Sequence, residues 1–99
     1  MDLHDLLEQV NSKETFLRFA HALAADFRDE QEKEQAHPTP CLGLTQGANG
    51  WYNHSVDSFV GAMCDWAEAT SAATGEPRVA EQPSWRSFAL MLLMGKYCE

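Results

Sequence analysis

Apolar residues recur at helical spacing in four separate stretches of the chain. Leu3, Leu6, Leu7 and Val10 fall at i, i+3, i+4 and i+7, which predicts a short first helix with Asp2 placed to cap it. Asn11 interrupts that pattern and offers a new N-cap, with Glu14 three residues on as the partner of a capping box. Phe16, Phe19, Ala20, Leu23 and Phe27 then line one face of a second helix. The extension from Asp29 to Gln35 is polar all round, so it reads as an exposed helix end or the start of a mobile arm.

Between Ala36 and Asn49 the periodicity fails. His37-Pro38-Thr39-Pro40 and the glycines at 43, 47 and 50 predict a loop, long enough to be mobile or functional. Ser55 is a plausible N-cap for a third helix, whose apolar positions are Val56, Phe59, Val60, Met63, Trp66 and Ala67; Gly75 and Pro77 end the segment after it. Ser84 is placed to cap a fourth helix, with Pro83 tolerated just outside it. Trp85, Phe88, Ala89, Leu92 and Leu93 form its apolar face, Gly95 reads as the residue after its end, and Lys96 lies near the negative end of its dipole. No repeat appears, and no alternating stretch is long enough to argue for a sheet. The expected fold is all-α: a single domain over residues 1–99, a compact bundle of about four helices with a loop insert at 36–50.

Size and charge narrow the function. Ninety-nine residues, 44% of them hydrophobic, make one small globular core of modest stability. Fifteen acidic side chains against seven basic ones leave a formal charge of −8, which argues against nucleic acid and anionic membranes as ligands. The same field keeps a small protein soluble, and it would attract a basic protein partner. Cys41, Cys64 and Cys98 are odd in number and form no regular framework, the acidic opening carries no long apolar core, and the apolar run from Phe88 to Met94 is too short to span a bilayer. A cytoplasmic protein with free thiols is expected.

Candidate chemistry is sparse. Ser84 has no Gly-x-Ser-x-Gly frame and capping accounts for it, while Arg86 would snorkel, pair with an acid such as Glu81, or meet an anion. His4, His21, His37 and His54 are too far apart to share a helix turn, which leaves His54 with Asp57 as the best metal candidate; no metal and no cofactor are expected. Asp65 and Glu68 are i, i+3 neighbours that could do acid–base work if buried, or lie on a solvated face. Trp66 and Trp85 belong to apolar stripes. Trp51 would either fold back on the core as a staple or stand out as an aromatic anchor.

Ser12-Lys13-Glu14-Thr15-Phe16-Leu17 with Ala22-Leu23, Trp51-Tyr52-Asn53, Phe59-Val60-Gly61-Ala62-Met63 with Trp66, and Gln82-Pro83-Ser84-Trp85-Arg86-Ser87-Phe88-Ala89 through Gly95-Lys96-Tyr97-Cys98-Glu99 carry a resemblance over nearly the whole chain. The chain resembles a family of small bacterial proteins known as a domain of unknown function. That resemblance implies a compact helical fold and a bacterial cytoplasmic setting, and it transfers no catalytic residue. In general character such acidic domains are similar to immunity proteins. The expectation is therefore a non-enzymatic protein-binding domain, an immunity-type inhibitor that occludes a basic bacterial toxin such as a nuclease. Asp29, Glu30, Glu32 and Glu34 of the polar tract, or Asp57, Asp65 and Glu68 of the third helix, would face the partner, with Trp51 or Tyr52 as apolar anchor. The alternatives are a regulatory or adaptor domain that homodimerises and a metal-binding protein.

Overall fold

Each predicted helix forms, and a short polar side chain closes the first turn of each one. The structure is a computed structural model that describes residues 2–40, 46–74 and 84–98, with 69–74 described by their backbone alone. Helices α1 (Leu3–Glu8), α2 (Lys13–Ala36), α3 (Val56–Thr74) and α4 (Trp85–Tyr97) make an all-α fold, with no strand among the described residues. Asp2 caps α1, accepting from the Asp5 N–H at 2.9 Å. Ser55 Oγ accepts from the Ser58 N–H at the start of α3, and Ser84 Oγ accepts from the Ser87 N–H at 3.0 Å at the start of α4. The boundary signals at Gly43, Gly75 and Pro77, together with Cys41, Glu81 and Pro83, lie outside the described residues.

Two of the expected boundaries shift. The cap of α2 is Ser12, not Asn11, and its reciprocal partner is Thr15, not Glu14. Thr15 Oγ1 accepts from the backbone N–H of both Ser12 (3.0 Å) and Asn11 (2.9 Å), so one hydroxyl closes the box that a carboxylate was expected to close. Gly95 does not follow α4 but lies within it; the helix ends at Cys98, whose N–H reaches the Met94 carbonyl. The reason is space rather than chain reversal. A Cβ on Gly95 would sit 2.7 Å from Phe59 Cε2, so the missing side chain is what lets α3 approach α4.

Helix α4 is the common neighbour. It packs against α1, α2 and α3, and α1 packs on α2, but the backbones of α2 and α3 do not come close to each other among the described residues. Phe19 and Leu23 of α2, Ala89 and Leu93 of α4, Val10 and Trp51 form the buried core, with Leu6, Phe16, Phe27, Phe59 and Leu92 packed around it. Because α4 is contacted on several sides, its buried positions wrap around it. Trp85 and Phe88, expected in the buried stripe, stay about two-fifths exposed in its first turn, Trp85 leaning on Phe16 at 5.3 Å between ring centroids. Val56 also departs from expectation: it is 82% exposed, while Ala62, one turn and a half later, is the fully buried contact. Arg86 finds a backbone partner, donating to the Glu8 carbonyl at the C-terminal end of α1, where a cation is favoured.

Two stability changes follow. Ser84→Ala should lower stability by about 1 kcal/mol through loss of the cap. Gly95→Ala gains up to roughly 1 kcal/mol of helix propensity but forces the packed Phe59 ring aside at a cost of about 1–3 kcal/mol. Urea unfolding should therefore show Gly95→Ala destabilised. A neutral or stabilised variant would mean that α3 and α4 are not closely apposed there.

Candidate functional site

The polar end of α2 is not polar all round, because one carboxylate continues the core. Phe19, Leu23 and Glu30 fall at i, i+4 and i+11 on one helix face, and Glu30 is fully buried. A buried carboxylate needs its lone pairs satisfied. Glu30 Oε1 accepts from the backbone N–H groups of Asn49 (2.9 Å) and Trp51 (3.1 Å), and Oε2 meets His54 Nε2 at 2.9 Å. The segment that delivers these donors is a tight turn. The Gly50 N–H donates to the Gly47 carbonyl and the Gly47 N–H to the Trp51 carbonyl, with Gly50 at φ +91°. Gly47 lies so close to the Glu30 carboxyl group that any β-carbon there would overlap it.

The acids one turn to either side extend this clasp. Asp26 Oδ2 accepts from the Trp51 indole N–H (2.8 Å) and from the ammonium of Lys96 (2.7 Å). Lys96, expected to serve the helix dipole, is instead 4% exposed, lies over the Tyr97 and Trp51 rings, and pairs with a half-buried acid. Asn49 spends its carboxamide on Asp26 and Asp29 as donor and on Lys33 as acceptor. Glu34 accepts from the Ala48 N–H and from both the hydroxyl and the N–H of Thr39. Asn53 donates to the carbonyls of Gly95 and Cys98 at the end of α4 and accepts from Ser58 Oγ at the start of α3, while the Tyr52 N–H donates to the Lys96 carbonyl.

These contacts redistribute the residues expected to face a partner. Glu30 and Trp51 are turned inward and hold the fold, which corrects the expectation that they would present themselves at a surface. Trp51 acts as the staple, its ring 4.8 Å from Phe27 and 5.9 Å from Phe59. Asp29 is exposed but bonded to Asn49 and Lys33, Glu34 and Tyr52 are half-buried, and Glu32, Asp57, Asp65 and Glu68 are exposed. The structure does not bring His54 and Asp57 to a common ligand: His54 meets Glu30, and Asp57 takes hydrogen bonds from Ser55 and Ser58. Among the described residues no group of three or more His, Cys, Asp or Glu side chains is placed to hold a metal ion. Ser84 Oγ is shared between the Ser87 N–H and hydroxyl, so capping occupies it. Among the described residues Cys64 and Cys98 are free thiols, and burial pushes the Cys98 thiol up.

The other feature of the surface is a groove. Since the backbones of α2 and α3 flank α4 without coming close among the described residues, they leave an apolar cavity of about 470 Å³ whose walls include Ala20, Ala24 and Phe27 from α2, Val56 and Phe59 from α3, and Leu92 of α4 beneath. Phe27 and His54 also border a second cavity of about 350 Å³, lined further by Glu30, Gln31, Glu34 and Gln35. An apolar trough thus runs into an acidic end.

Acid should loosen the clasp first. The Asn49 carboxamide and then Lys33 hold the Asp29 carboxyl below its ordinary range, and the Thr39 hydroxyl and then its N–H do the same for Glu34. Folded-state values below the unfolded ones mean stability that is full above about pH 5 and lost as pH falls through the depressed values. Denaturation midpoints should drop below about pH 5, and Glu34→Gln should flatten that drop. Glu30→Ala should cost about 3–5 kcal/mol at neutral pH, as for one partner removed from a buried pair.

No helix among the described residues is long and apolar enough to cross a membrane. No curated protein and no solved structure matches the chain. A family model does match residues 12–99, from the cap of α2 to the end of the chain, and the chain belongs to that family, a family of unknown function (DUF7660).

Proposed function

We propose that this chain is a non-enzymatic protein-binding domain, most concretely an immunity-type inhibitor that occludes a basic toxin domain in the bacterial cytoplasm. The observation that carries the reading is the surface of α3. Val56 and Val60 stand exposed at i and i+4, and Asp57, Asp65 and Glu68 lie exposed around the same helix. Solvent-facing apolar residues bordered by exposed acids suit a partner that brings apolar anchors inside a basic rim. Asp26, Asp29 and Glu30 are engaged by the 46–54 segment, so the partner-facing charge falls to α3, to Glu32 and to the half-buried Glu34. The overall charge of −8 would speed encounter with such a partner. The exposed valines also favour a second reading, an adaptor that dimerises through α3, which sedimentation across a concentration range separates from the first.

Co-expression with the protein encoded immediately upstream tests the proposal. The expected result is rescue of growth and a complex that weakens as salt rises from about 0.05 to about 0.5 M. No rescue and no complex at either salt ends it. Reversing Asp57, Asp65 and Glu68 to Lys together should slow association by about tenfold or more while leaving the unfolding midpoint nearly unchanged.

A further inference from the structure

The trough between α2 and α3 defines its occupant more narrowly than charge alone. Its surface is nearly all apolar, with Ala20, Ala24, Phe27, Val56, Phe59 and Leu92 among its walls and Asn53, His54 and Ser55 as its polar border. An extended segment laid there would bury its backbone N–H and C=O groups without partners, since no strand edge borders the trough among the described residues. A helix satisfies its own backbone and needs only an apolar stripe. Two helices flanking a third, their backbones apart among the described residues, leave an open side of a bundle that one more helix would complete.

Charge then separates the possible sources of that helix. Glu34 lines the cavity at one end of the trough, and its hydrogen bonds come from neutral donors. Among the described residues the ion pairs are Lys33–Asp29, Lys96–Asp26 and, when the ring is protonated, His54–Glu30; neither Glu34 nor Asp57 forms one, and the His54 ring that borders the same cavity as Glu34 is bonded to Glu30. A second copy of this chain would bring eight more negative charges to the same place. A basic helix from another protein would bring the missing cation.

We propose that the groove between α2 and α3 receives one amphipathic α-helix of a basic partner protein, with its apolar stripe on Phe27, Phe59 and Leu92 and a Lys or Arg at one end against Glu34. This deepens the protein-binding reading and rests on it. Glu34 supplies charge and direction, and the trough supplies contact area.

The test titrates the ¹⁵N-labelled full chain with three synthetic peptides of roughly four helical turns each. One carries leucines at i, i+3, i+4 and i+7 with lysines elsewhere, one replaces the lysines by glutamates, and one shuffles the basic sequence to destroy the stripe. The basic amphipathic peptide should bind saturably and shift amides of Ala20, Ala24, Phe27, His54, Val56 and Phe59. The acidic and shuffled peptides should bind at least about tenfold more weakly. Val56→Ser, at an exposed position, and Ala24→Arg, which puts a bulky cation in the trough, should each weaken the basic peptide about tenfold with the unfolding midpoint unchanged. Glu34→Gln should weaken it about threefold. Shifts confined to Asp57, Asp65 and Glu68, equal affinity for the acidic peptide, or a concentration-dependent dimer that buries the trough would each overturn the proposal. A complex with the upstream protein that Val56→Ser and Ala24→Arg leave unaffected would remove this groove while leaving the protein-binding reading in place.

Discussion

The Glu30 carboxylate is the interaction on which the rest of the arrangement depends. A charged group placed in line with Phe19 and Leu23 would be prohibitively costly if it were left unpaired. Two backbone N–H donors and the His54 ring make it tolerable, and all three come from the short segment between Asn49 and His54. Once that segment is pinned to α2, Trp51 is seated in the core and Tyr52 and Asn53 bond the end of α4. Asn53 also holds Ser58 at the start of α3. One buried acid therefore connects three helices that are far apart along the chain.

That connection explains why a groove can persist. The backbones of α2 and α3 stay apart among the described residues, with Trp51 between Phe27 and Phe59, so the position of α3 is set by α4, through the Gly95–Phe59 approach, and by the pinned segment that precedes it. Helices whose spacing is fixed at their ends and along a shared neighbour need not close on each other. Apolar wall residues can then stay open to solvent without the bundle collapsing over them. The acids divide accordingly. Asp26, Glu30 and Glu34 lie on successive turns of α2 and are bonded to residues between 39 and 54, while Asp57, Asp65 and Glu68 remain outward.

Periodicity alone was enough to place all four helices, because apolar spacing and N-cap chemistry act locally. The caps at Asp2 and Ser84 were legible for the same reason. The misplaced cap at Asn11 shows the limit: Asn11 and Ser12 are both competent, and the choice fell to a Thr15 hydroxyl able to accept two N–H groups at once. Glu30 was misread because a carboxylate scores as polar whatever its angular position. Its place in the stripe after Leu23 was visible in the spacing, but its donors were not, since they arise from a turn some twenty residues away. Lys96 and Gly95 were hidden similarly, as only the meeting of α4 with Asp26 and Phe59 gives them their roles. The groove was not legible at all. Val56 and Phe59 look alike in a helical pattern, and the failure of α2 and α3 to pack is a property of the assembled chain.

Amide hydrogen exchange at neutral pH tests the central claim most directly. If the buried carboxylate pins the 49–54 segment, the backbone N–H groups of Asn49 and Trp51 and the Trp51 indole N–H will exchange slowly, with Trp51 protected to nearly the same free energy as Phe19 and Leu23 in α2. Exchange of the Asn49 and Trp51 amides at the rate of a solvated loop, while the helices stay protected, would contradict the account.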